Sequence, residues 1–225
     1  WALQPGGCYY IRRGRSSVIA FRVPQGQPNG YLLSASHCDR PCFKVKENFE
    51  LTGTYTRLAV EKYGGPIIHP WLDRPLSIAG RVLVDTPNGI ETRLIDLDRD
   101  IALIPNVAIH MDRTVNDGKR WNLAVDTIPL MGGADAAGKL QLLLEEAAGG
   151  KILGHDLYLY LREPARVWGL NEEFICSAAL DDLLCVFGCF RGFLNAAPGK
   201  NVQVLCVFDG EEVGSNSPQA ADGDL

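Results

Sequence analysis

Residues 201–217 read NVQVLCVFDGEEVGSNS. The first half is nearly all apolar, as expected of a strand buried on both faces. It runs directly into Asp209-Gly210-Glu211-Glu212. A central strand therefore delivers two adjacent carboxylates at its C-terminal end, the edge of an open α/β sheet where ligands bind. Adjacent acids at the end of such a strand are costly unless a cation neutralises them. Their side chains point in different directions, so one can bind a metal while the other serves an activated water as general base. A solvated acidic turn is the alternative reading of the same residues.

Upstream of this strand, Leu183, Phe187, Phe190 and Leu194 fall at helical spacing, which predicts one apolar face of a helix over 180–196. Asp181 and Asp182 open that helix. Acids there complement the helix dipole, or a carboxylate bridges two metals. Nearer the N-terminus, SVIAFRV (17–23) and YLLSAS (31–36) are β-rich runs separated by the turn-like PQGQPNG, and they read as neighbouring strands. His37 and Asp39 follow the second run two positions apart, so both side chains can point to one side of the chain. Histidine is a common zinc ligand, and a nearby carboxylate commonly orients it.

The middle of the chain reads differently. Residues 80–97 predict a hairpin, with Asn88-Gly89 supplying the positive φ angles of a tight turn. Residues 55–70 read as strand and loop, 139–148 as a helix stopped by Gly149-Gly150, and 157–161 (LYLYL) as a strand. The fold class expected is α/β, with a β-rich domain inserted into an α/β domain.

The chain has 225 residues, is 46% hydrophobic and carries a formal net charge of -5. That is enough for one sizeable core or two smaller ones. No run of Lys or Arg offers a stripe for a phosphate backbone, which argues against nucleic acid as a partner. The apolar runs fall short of the roughly 20 residues of a membrane-spanning helix, so no membrane partner is expected. Seven cysteines make an odd count, and runs such as CVFGCF and QVLCVF suit free thiols in a reducing compartment, so a cytoplasmic location is expected. Cys38, Cys42, Cys185 and Cys189 read as packing residues, because no second CxxC-type pair completes a zinc knuckle. His69, His110 and His155 are isolated, and a lone histidine is more often structural or simply exposed. The start at Trp1 and the polar end SNSPQAADGDL are both expected to lie inside a longer natural chain.

Five segments in order, SHCDRPCFKVK (36–46), YGGPIIHPWLDRPLSIAGRV (63–82), LIPNVAIHMDR (103–113), GLNEEFICSAALDD (169–182) and FDGEEVGSNS (208–217), resemble the aspartyl aminopeptidase family of metallopeptidases. The resemblance spans nearly the whole chain. It implies an α/β/α metallopeptidase domain over 1–46 and 164–225, interrupted by a β-rich dimerisation domain over 47–163. It further implies two divalent metal ions per site, zinc first with cobalt or manganese as alternatives. By the same resemblance His37 binds one metal, Asp181 bridges both, Glu212 binds the other and Glu211 is the general base. Asp39 matches the acid beside the first ligand. His110 matches a histidine that enters a neighbouring subunit's substrate pocket.

The implied reaction is hydrolysis of the N-terminal residue from peptide substrates with a free N-terminus, with Asp or Glu preferred. The implied assembly is a homo-oligomer built from dimers, a dodecamer in the family. Three positions depart from the family pattern, with Cys38 in place of Thr, Arg40 in place of Ser and Asp182 in place of Asn. A further aspartate, a histidine ligand and most of the substrate pocket are expected downstream of Leu225. A non-catalytic assembly or regulatory subunit that keeps the dimerisation domain is the competing expectation.

Overall fold

The computed structural model describes residues 2–223. In chain order the strands begin with β1 (Cys8–Arg13), β2 (Ser17–Arg22), β3 (Tyr31–His37), β4 (Cys42–Leu51), β5 (Tyr55–Tyr63) and β6 (Leu76–Thr86). They continue with β7 (Gly89–Asp96), β8 (Leu130–Gly133), β9 (Ile152–Leu161), β10 (Arg166–Trp168), β11 (Phe174–Cys176) and β12 (Val202–Phe208). The helices are α1 (Leu123–Asp126), α2 (Lys139–Ala148) and α3 (Leu180–Asn195). The architecture is mixed α/β and mostly sheet. Two compact units form, one from the residues up to Arg40 together with those from Ser177 onward, the other from Pro41–Cys176.

In the first unit a four-stranded sheet has the order β1-β2-β12-β3. The two β-rich runs near the N-terminus, expected to be neighbours, are separated by β12. It pairs antiparallel with β2 (Leu205 opposite Ala20) and parallel with β3 (Leu205 opposite Ser34). The physical reason is burial: β12 is the most continuously apolar of the three and takes one of the two interior positions, where Leu205 is 1% exposed. Because β3 and β12 run parallel, both deliver their C-terminal ends to the same edge of the sheet.

Over 180–196 the helix forms, but its inward face is not the expected one. Leu183, Phe187, Phe190 and Leu194 are exposed, while Val186, Cys189 and Phe193 are partly covered. With apolar residues all round the helix, periodicity alone does not select the packed side. The thiols of this helix differ as well: Cys185 is exposed rather than packed. Asp181 and Asp182 have non-helical dihedrals (ψ 115° and 16°), so the regular helix begins beyond them and neither acid sits as an ordinary first-turn residue.

The second unit is a six-stranded sheet of order β7-β6-β9-β4-β5-β8, with the short β10-β11 hairpin beside it in sequence. Its core gathers Phe43, Val45, Leu58, Leu76, Ile78, Val82, Leu157 and Leu159 with Leu140 and Leu144 of α2. The edge hairpin β6-β7 forms in the expected segment, Thr86 pairing Gly89. Only Gly89 of its turn has positive φ (105°); Asn88 instead donates its backbone N–H to Thr86 Oγ1 at 3.2 Å. Gly149 (φ 68°) ends α2 with its N–H on the Glu146 carbonyl, as the sequence leads one to expect. Gly80 is required where β6 crosses β9, since a Cβ there would stand 2.3 Å from the Asp156 carbonyl oxygen.

Candidate metal centre

Five of the six candidate residues come together in the first unit. His37 closes β3, Asp39 lies two residues on, Glu211 and Glu212 form a single 3-10 turn just past β12, and Asp181 stands at the start of α3. The parallel pairing ends at Phe208 opposite His37, and Cys38 donates its N–H to the Phe208 carbonyl at 2.8 Å. Sheet register therefore fixes the histidine loop against the double-glutamate loop. The sixth candidate, His110, belongs to the second unit, exposed in a turn closed by Met111 N–H to the Ala108 carbonyl.

The imidazole is held from its own strand end. His37 Nδ1 lies 3.1 Å from the Asp39 carbonyl oxygen, and donation there leaves Nε2 with its lone pair outward. Around Nε2 stand Asp181 Oδ1 at 3.5 Å, Glu211 Oε2 at 3.9 Å and Asp182 Oδ2 at 4.0 Å. Donor atoms of His37, Glu211 and Glu212 all lie within 4.8 Å of one another. The Asp39 carboxylate, whose Oδ1 also lies 3.4 Å from His37 Nδ1, accepts the N–H of Glu211 (3.2 Å) and of Glu212 (3.1 Å), so it anchors the loop that carries both glutamates. Ser17 holds the same loop from β2: its hydroxyl accepts the Asp209 N–H at 3.0 Å and donates to the Gln219 carbonyl.

The electrostatics match this crowding. Burial opposes charging of His37, but Glu211, Asp182 and Asp39 outweigh it and raise the pKa above the ordinary histidine value. Burial, then repulsion from Glu211, pushes the Glu212 carboxyl up. Burial, then the carboxylates of Asp209 and Asp39, lifts the Cys38 thiol to about 11. Among the described residues no Lys or Arg forms an ion pair with Asp181, Asp182, Glu211 or Glu212. One imidazole nitrogen and several unneutralised carboxylates form a donor set suited to a divalent cation.

Two residues outside the candidate set also shape the site. Asp182 accepts the backbone N–H of His37 at 3.0 Å, and its carboxylate also takes a hydrogen bond from the Cys185 thiol. Those two bonds hold its pKa down against the opposing effect of burial. The sequence named Asp182 as an acid at the helix start and as a departure from the family's Asn, but not this contact with His37. Ser17 carried no local signal at all, because its role depends on β2 and β12 pairing.

Sheet-edge carboxylates gather about a single histidine on a mixed α/β scaffold, a donor set that suits a divalent metal ion. The chain belongs to the M18 family, aminopeptidase I zinc metalloproteases, whose family model matches residues 1–225. It is 38% identical over 238 residues to the probable M18 family aminopeptidase 2 of Clostridium novyi (strain NT), covering 100% of this chain and 55% of that protein. Among solved structures, Chaetomium thermophilum mApe1 superposes with a TM-score of 0.90 at 31% identity, covering 99% of this chain and 56% of that one. A chain of the S. cerevesiae mApe1 dodecamer superposes with a TM-score of 0.80 at 26% identity, covering 98% of this chain and 53% of that one. The chain spans about half the length of the curated relatives it matches.

Proposed function

We propose that this chain carries the metal-binding and general-base half of an aminopeptidase that removes N-terminal Asp or Glu from peptides. The observation that carries the reading is the convergence of His37, Glu211 and Glu212 donor atoms within 4.8 Å at the shared C-terminal edge of two parallel strands. His37, Asp181 and Glu212 are the residues that would hold the metal, zinc being the metal of the family. When bound, the ions supply Lewis-acid polarisation of the scissile carbonyl and ease deprotonation of the attacking water.

The chain's own residues do the rest. Glu211, the more exposed of the paired glutamates, takes the proton of the attacking water and returns one to the leaving amine. Asp39 keeps Glu211 and Glu212 in register through their backbone N–H groups. Residues 47–163, within the second unit, serve as the dimerisation domain. His110, exposed in its turn, reaches the substrate pocket of a neighbouring subunit. Dimers assemble into a dodecamer like that of S. cerevesiae mApe1. Free cysteines at all seven positions support a cytoplasmic location.

The test is hydrolysis of Asp- and Glu-chromogenic amides by the complete polypeptide that carries this chain, after metal removal and after return of zinc, cobalt or manganese. Activity should depend on the ion and fall by at least about 100-fold in Glu211→Gln, the scale of a lost general base. A Glu211→Gln enzyme as fast as the parent would refute the assignment of the base. Equal rates on Asp, Ala and Leu amides would refute the acidic preference.

A further inference from the structure

The second unit contains a histidine that its surroundings do not satisfy. His155 lies on β9 opposite Val82, its side chain is only 5% exposed, and neither Nδ1 nor Nε2 has a hydrogen-bond partner among the described residues. A buried polar group without a partner is costly, so such a site calls for an explanation.

The neighbouring strand supplies one. β4 pairs with β9 only at Phe43 and Lys44, then leaves it. Against β5, the register passes from Val45 opposite Val60 to Glu50 opposite Leu58, so residues 46–49 bulge out against Ala59 alone. The bulge brings the Phe49 ring to 5.8 Å from the imidazole and Glu47 Oε2 to 3.8 Å from Nε2. Glu47 and Phe49 also line a surface recess with Asn48, Glu50 and Gln141. Glu50 holds the recess in shape by accepting the Gly138 N–H at 2.8 Å.

We propose that Glu47 and His155 form a binding site for a divalent transition-metal ion, built within the second unit and independent of the centre at His37. A hydrogen bond does not span 3.8 Å. An ion does, because bonds of about 2.0–2.2 Å to nitrogen and oxygen place two donors up to roughly 4 Å apart. One neutral imidazole and one carboxylate suit zinc or cobalt over magnesium or calcium. With two principal protein donors the site binds more weakly than a complete catalytic centre, and it ties the β4 bulge to β9.

The experiment uses the complete polypeptide, with bound zinc counted after equilibrium dialysis and cobalt followed by its visible absorption. Glu47→Gln and His155→Gln should each lose one ion per chain, and Glu47→Gln should keep full amide hydrolysis. In a His37→Ala, Glu212→Gln background, the same single ion should persist with an absorption band that His155→Gln removes. The 71% exposed side chain of Glu47 makes its variant safe for folding, so the count stays informative if His155→Gln misfolds. An unchanged ion count in Glu47→Gln overturns the site. So does imidazole resonance of His155 that responds to pH and never to zinc, which would mean a proton or water alone meets the buried nitrogens.

Discussion

Asp39 illustrates how one carboxylate beside a candidate ligand histidine can act through the backbone. Both of its oxygens are spent on backbone N–H groups of the double-glutamate turn, at 3.2 and 3.1 Å. Asp39→Asn keeps the shape but can offer only one acceptor oxygen, so one of the glutamates loses its anchor. Metal affinity or turnover should fall about 10–100-fold, with the far-ultraviolet circular dichroism unchanged. In the second unit, Asp156 binds Lys44 Nζ at 3.0 Å, Arg81 Nη2 at 2.8 Å and the Tyr158 hydroxyl at 3.0 Å. Burial opposes its ionisation, but the bonds from Lys44 and Arg81 prevail and hold its pKa below the ordinary carboxylate value. A depressed folded-state pKa contributes stability above the unfolded-state value, and that contribution disappears as pH falls through the folded one. Asp156→Asn should therefore cost about 1–2 kcal/mol at neutral pH, the gap closing below about pH 4 in denaturant titrations.

At the scale of an element, α3 depends on one arginine from across the sheet. Arg22 of β2 donates to the Ala196 carbonyl at 2.6 Å and to Gln203 Oε1 at 2.8 Å. Its guanidinium also stands 5.4 Å from the centre of the Phe193 ring. It thus satisfies a carbonyl at the open C-terminal end of the helix and places positive charge at the negative end of its dipole. Arg22→Ala should lower stability by about 1–2 kcal/mol. Arg22→Lys should recover little of it, because an ammonium cannot reproduce the planar fork. Amide exchange at residues 190–196, faster in both variants, would check this; equal protection in the lysine variant would show that charge alone suffices. The 3-10 turn of Glu211–Val213 is held in a comparable manner, by Asp39 and Ser17 and not by its own length.

Over the whole molecule the apolar surface is unevenly buried. The second unit encloses Phe43, Leu58, Leu76, Ile78, Leu157 and Leu159 at 1% exposure or less. In the first unit, α3 presents Leu184, Phe187, Phe190 and Leu194 at 47–62% exposure. Contiguous apolar faces of this kind promote association. The 225-residue chain should bind an apolar dye such as ANS and self-associate, and Leu184→Lys with Phe187→Lys should reduce both, as read by fluorescence and sedimentation velocity. Unaltered dye binding in the double variant would direct attention to the exposed β10-β11 hairpin, with Trp168 and Phe174, instead. No helix among the described residues is long and apolar enough to cross a membrane.

Local chemistry alone determined a good deal of this protein. The apolar run of 202–208 ending in acids, the glycine stop after Ala148 and the hairpin at 80–97 are each legible because near neighbours in sequence impose them. The five candidate residues that the structure brings together were named from the sequence as acids and a histidine standing at strand or helix ends. Tertiary structure decided what depends on partners distant in sequence. It inserted β12 between β2 and β3, which sets His37 opposite Phe208. It chose the face of α3 that packs, a choice periodicity could not make for a helix apolar on every side. It also recruited Ser17 and Asp182, whose hydrogen bonds to Asp209 and His37 join residues 192 and 145 positions apart. Register and side-chain reach across a sheet follow from burial summed over the whole chain, and no short stretch of sequence encodes that sum.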